Sequence, residues 1–154
     1  MSERSQPKAH SLAGNPVHYK ELVKGMPAAV KRDLAGLLEK REAPAGAVVI
    51  GKGEPADEFV VLRSGKALLV IGTGEGSAVT REIARGEIVG IPEAVTGTVY
   101  DVSVVTRSQC RFESAKGTEL ARVLQLHPAL CFRLVTLLGT NLCKGRQVFG
   151  STSI

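Results

Sequence analysis

The chain has 154 residues, 44% of them hydrophobic and 23% charged, enough for one globular domain that buries a core without disulfide or metal staples. Trp is absent and aromatics make up 4%, so the core is aliphatic and large base-stacking platforms do not fit the composition. The net charge of +5 is spread from Lys8 to Arg146 instead of forming one block, a pattern of general solubility more than of a nucleic-acid footprint.

The opening stretch MSERSQPKAHSLAGNP is polar and rich in Ser, Pro and Gly, with no apolar segment of a signal peptide. Residues 1–15 read as a flexible arm. A helical leader follows over 16–42: after Pro27, a residue suited to a first turn, Val30, Leu34, Leu37 and Leu38 recur at helical spacing.

Over 43–115 the pattern changes to short β-rich runs: AVVIGKGE, EFVVLRSG, KALLVIGTGEGS, AVTREIARGE, YDVSVVT and CRFES. Such runs at even spacing predict an antiparallel sandwich or roll of about eight strands. Gly53, Gly65, Gly74, Gly76, Gly86 and Gly97 fall where turns need a positive φ. The stretch IGTGEGSA has its third glycine one residue early for a dinucleotide loop, and a β run follows where a helix should begin, so it reads as a hairpin tip.

Helical spacing returns over 116–149. Thr118 is a candidate N-cap without the acidic partner of a capping box, and Pro128 should break or bend the run. Beyond it Leu130, Leu134, Leu137, Leu138, Asn141, Leu142 and Val148 share one face. The stripe is wider than packing on the roll requires, and Asn141 sits in it as a register-setting polar residue does in paired helices. A homodimer through Leu134, Leu137, Leu138, Asn141, Leu142 and Val148 is expected, with Gly139 and Gly145 allowing close approach. The earlier turn, with Cys131 and Phe132, is expected to pack on the roll.

The chemistry of catalysis is thin. Cys110, Cys131 and Cys143 are odd in number and lack C-x-x-C spacing, against a disulfide framework or cysteine metal site and in favour of a reducing compartment. His10, His18 and His127 are scattered over the arm, the leader and a helix junction, so no metal set and no nucleophile–base pair emerges. No stretch approaches the roughly 20 apolar residues of a membrane span. A cytoplasmic protein that is not an enzyme and holds no metal is the expectation.

Three motifs in order carry a resemblance. GKGEPADEFVVLRSGKALLV, ARGEIVG and LQLHPAL resemble, respectively, a turn-strand-hairpin unit, the G-[ED]-x-x-G entrance to a phosphate-binding cassette, and the junction into a long C-terminal helix. All three belong to the cyclic-nucleotide-binding domain of the Crp/Fnr (catabolite activator protein) regulator superfamily, and the resemblance covers roughly residues 20 to 149. It implies a mainly β jelly-roll with flanking helices and a role in signalling or transcription control. It also implies a candidate cassette of Gly86, Glu87, Gly90, Ile91, Pro92, Glu93, Ala94, Gly97, Tyr100, Asp101 and Val102.

In that family backbone N–H groups at a short helix and an Arg neutralise the cyclic phosphate, and a Glu after the second glycine takes the ribose hydroxyl. Here the Glu position holds Ile91, the Arg position Tyr100, and the small residue after it is Asp101. Loss of the guanidinium from a buried pair costs about 3–5 kcal/mol, and Asp101 adds like-charge repulsion in a dry site. Cyclic nucleotide is therefore disfavoured as the ligand. Another, smaller or less charged ligand in a stand-alone sensor domain is one expectation; a ligand-free interaction or dimerisation module is the alternative. Arg81, Arg85 and Arg107 read as solvated turn or strand-edge charges, Tyr100 as a barrel-edge aromatic with a surface hydroxyl, and Glu93 as a distant substitute acid. Only GSTSI follows Phe149, so the helix-turn-helix that follows in the family, and direct DNA binding, are not carried over.

Overall fold

The structure, a computed structural model, describes residues 16–72 and 78–149, apart from the side chains of 78 and 140–149. The arm 1–15 and the turn glycines Gly74 and Gly76 lie outside the described residues.

The chain enters through strand β1 (Val17–His18) and helices α1 (Tyr19–Val23) and α2 (Ala28–Ala35). Strands β2 (Glu39–Ala43), β3 (Val48–Ile50), β4 (Glu58–Ser64), β5 (Ala67–Gly72), β6 (Ala78–Glu82) and β7 (Glu87–Val89) follow. Helix α3 (Ile91–Thr96) interrupts the strands before β8 (Ser103–Thr106) and β9 (Cys110–Lys116), and α4 (Gly117–Leu126) and α5 (Pro128–Phe149) close the fold. One antiparallel sheet runs β1-β7-β4-β9-β2 and the other β3-β8-β5-β6, the expected mainly β roll with flanking helices.

The two-residue side-chain period explains how one sheet serves two cores. Along β4, Phe59 and Val61 face a core shared with the helices, while Val60 and Leu62 face the interior of the roll. Neighbouring β7 divides in the same way, Ile88 to the helices and Val89 to the roll. Being covered on both faces, β4 reads as the continuous apolar run EFVVL instead of an alternating one. Each of these fully buried side chains contributes about 1.5–3 kcal/mol.

The helical leader is shorter than expected. Glu39–Ala43 is a strand at the sheet edge, in register with β9 from Glu39↔Ser114 to Ala43↔Cys110. EKREA carries no large apolar residue because pairing with β9 and the Arg41–Glu58 ion pair, more than burial, hold it. Within the leader, Val30 and Leu34 are buried one turn apart on α2, and Leu37 and Leu38 pack partly buried beside them.

Thr118 is not the cap of α4: that position belongs to Lys116, and the helix starts at Gly117. Pro128 breaks the run as expected, ending α4 at His127 and opening α5. Two side chains, His127 and Arg133, tie this junction to the leader. His127 Nε2 lies 2.8 Å from Asp33 Oδ2, and Arg133 Nη1 donates to the Glu21 and Lys24 carbonyls at 2.9 and 3.0 Å, satisfying acceptors left open where α1 ends.

The expected packing of α5 is reversed at two positions. Phe132 is 75% exposed and Val135 58% exposed, whereas Leu130 and Leu134 are buried in the helix-side core. Leu137 and Leu138 also pack partly against that core. Leu134 is thus held by its own chain and is not free for a dimer seam; the exposed apolar face is that of Phe132 and Val135. The side chains of Asn141, Leu142, Cys143, Gly145 and Val148 lie outside the described residues.

Candidate functional site

The cassette is a short helix between two left-handed glycines. Gly90 has φ 101° and Gly97 φ 75°, values that a residue with a Cβ adopts only with strain, so glycine is needed at both ends of α3. Inside, Ala94 N donates to Gly90 O and Gly97 N to Glu93 O. Beyond Gly97 the chain does not leave into solvent. Ala56 N donates to Thr98 O, Tyr100 N to Glu54 O, and Gly53 N to Tyr100 O, each at 2.9–3.0 Å. The glycine-rich turn GKGEPAD is therefore the backbone dock for the end of the cassette.

The two positions where an acid and a guanidinium were sought face different interiors. Ile91 is 3% exposed and belongs to the core under the helices, while Tyr100 is 6% exposed and belongs to the interior of the roll. The surface hydroxyl expected for Tyr100 is not found: it donates to Glu58 O at 2.6 Å. Burial pushes that hydroxyl's pKa above its ordinary 10.0, with the Glu58 N–H that donates to the phenol oxygen opposing. Gly90 lies against the same ring, where an added Cβ would sit 3.4 Å from Tyr100 Cε1 and 3.4 Å from Glu58 O.

Glu87, a residue of the candidate cassette, and Arg81 form a pair that the sequence reading missed. Glu87 is 2% exposed; Arg81 grips it through Nη1–Oε1 at 3.1 Å and Nη2–Oε2 at 2.7 Å, and Ala84 N adds a third donor at 3.0 Å. Arg81 is thus a structural cation, not the solvated charge expected, because a buried carboxylate requires a partner. The signal was available: an acid directly after Gly86 and before Ile88 and Val89 has to be buried with them.

The remaining residues are placed plainly. Gly86 turns the chain with φ 86°, and Ala94 is buried and Val102 partly so. Pro92 and Asp101 are exposed and Glu93 is intermediate. Water reaching Asp101 screens the repulsion expected of a dry site. Arg85 is exposed, as is Arg107, which with Lys66, Ala67, Leu68 and Glu82 lines a cavity of about 230 Å³ that includes no cassette residue.

Ile91 offers no acceptor for a ribose hydroxyl, Tyr100 no positive charge for a phosphate, and the hydroxyl it has is already bound to the main chain. Among the described residues no cluster of His, Cys, Asp or Glu could hold a metal ion, and no helix is long and apolar enough to cross a membrane.

Comparison with known proteins follows the fold. The catabolite activator protein of Thermus thermophilus superimposes with a TM-score of 0.75 at 17% identity, over 86% of this chain and 63% of that one. The N-terminal domain of a transcriptional regulator from Streptomyces coelicolor A3(2) gives 0.68 at 15% identity, over 90% and 96%. The regulatory subunit of a cAMP-independent protein kinase A from Trypanosoma brucei gives 0.63 at 19% identity, over 75% and 43%. This chain spans less than two thirds of the Thermus protein, and these identities speak for the fold alone. No curated protein sequence matches significantly. The family model described as the cyclic nucleotide-binding domain matches residues 40–127, from β2 to the α4–α5 junction. The chain belongs to the cyclic nucleotide-binding domain family.

Proposed function

We propose that this chain is a cytoplasmic, non-catalytic regulatory domain in signalling or transcription control whose cassette does not take cyclic AMP. The observation that carries the reading is the burial of Tyr100 and Ile91 at the two positions where the family resemblance calls for a guanidinium and a carboxylate. The Trypanosoma brucei relative, described as cAMP-independent, sets a precedent for the fold without that response. In this reading the cue is a smaller or less charged molecule. Calorimetric titration with cyclic AMP and cyclic GMP should give no binding tighter than high micromolar; submicromolar binding of either overturns the proposal. A thermal-shift screen of small metabolites then finds the cue, since a ligand at a hundredfold its Kd adds about 2.7 kcal/mol.

A second reading, a ligand-free dimerisation module, has its own support. Phe132 and Val135 are exposed three residues apart on α5, and a Cβ at Gly139, one turn further on, would meet nothing within 4 Å. A second copy of α5 on this face removes the patch from water. The variant with Phe132→Glu and Val135→Glu should sediment as monomer with its roll folded, and a wild-type chain that is monomeric at tens of micromolar removes the dimer from the account.

A further inference from the structure

We infer that Tyr100 is an internal clasp that holds the cassette and the start of α4 in one fixed arrangement without any ligand. The inference goes beyond the proposed function, since it rests on contacts within the chain and not on which molecule the cassette accepts.

The contacts converge on two consecutive residues at the head of β4. Glu58 O receives the Tyr100 hydroxyl, fixing the end of the cassette. Asp57 O receives Gly117 N at 2.9 Å, fixing the first residue of α4. Glu58 Oε2 receives Arg41 Nη1 at 2.9 Å, which fastens the same point to the edge strand β2. The cassette and α4 also touch directly: an added Cβ at Gly117 would run into the carbonyl and side chain of Ala94, so α4 begins flush against α3. The backbone pairing of 98–100 with 53–56 completes the enclosure.

A cassette that takes its position from a ligand must have an alternative position when the ligand is gone, because a ligand shifts an equilibrium only between states that bind it differently. Here the groups that would define the ligand-bound position are supplied by the chain. Tyr100 fills the roll interior with its ring and binds the main chain with its hydroxyl, so the cassette, the 53–58 turn and α4 move as one body.

Hydrogen exchange of the full chain without added ligand tests the clasp. Tyr100→Phe removes only the hydroxyl and keeps the ring, and Tyr100→Leu keeps apolar volume while removing the ring. Loss of one such hydrogen bond should accelerate exchange roughly two- to tenfold. The expected acceleration in Tyr100→Phe is confined to segments 53–58, 90–100 and 117–126, with 59–70 and 103–116 unchanged, while Tyr100→Leu accelerates the same three segments further and extends to the roll core its ring packs against. Exchange that is unprotected over 90–100 in the wild type, unchanged in both variants, or accelerated equally throughout the chain overturns the inference. None of these outcomes depends on whether a nucleotide binds.

Discussion

Replacing Arg81 with Met leaves the Glu87 carboxylate 2% exposed with a single remaining donor, Ala84 N at 3.0 Å. Stranding one partner of a buried pair costs about 3–5 kcal/mol. The Arg81 side chain is 21% exposed, so water enters the gap and the lower end, about 3 kcal/mol, applies. Glu87→Met strands the other partner, but Arg81 can swing to solvent, and the cost falls to about 2 kcal/mol. With both replaced, two apolar side chains fill the space and no charge is buried; the double variant should lie within about 1 kcal/mol of wild type. Urea unfolding at neutral pH, with stability extrapolated linearly to water, gives all four corners of the cycle. The expected coupling is at least about 4 kcal/mol. Single variants that each cost less than about 1 kcal/mol and sum in the double variant would refute a structural role for the pair.

Gly117→Ala should lower stability by about 1–3 kcal/mol through overpacking against Ala94, seen as a lower thermal midpoint by circular dichroism; an unchanged midpoint contradicts the flush contact. Leu130→Ala, at a site with no exposed surface, should cost about 2–5 kcal/mol, whereas Phe132→Ala should stay within about 0.5 kcal/mol in the monomer, and equal costs would contradict the assigned helix faces. Burial raises the pKa of both Tyr19 and Tyr100 in the folded chain, so above about pH 10 the unfolded chain binds fewer protons than the folded one and stability falls as pH rises. The fall should be shallower in Tyr100→Phe, and identical urea midpoints across pH 9–11 for the two proteins would contradict it.

The elements that were legible in the sequence are those whose residues carry their own reason to be there. Phe59 to Leu62 form a run too short and too apolar for anything but a buried strand, and Pro128 cannot continue the helix before it but can open the next one. Gly90 and Gly97 marked the cassette because only glycine suits their φ. Strand β2 escaped because Glu39–Ala43 has no burial pattern; its register comes from β9, some seventy residues later in the chain. Tyr100 was misplaced for a similar reason. Its partner is a main-chain carbonyl 42 residues away, and no side-chain type announces that acceptor. The faces of α5 could not be separated either, since Leu130, Phe132, Leu134 and Val135 are all apolar and only the position of the leader decides which are covered.

The proposal that the cassette is closed by the protein's own side chains and not by a cyclic nucleotide is tested most directly by amide NMR of the ¹⁵N-labelled chain. Cyclic AMP is added to tens of micromolar, and the amide signals of Gly90, Ala94, Gly97 and Tyr100 are followed. The account predicts that these four signals stay where they are in the free protein; saturable shifts confined to them would contradict it.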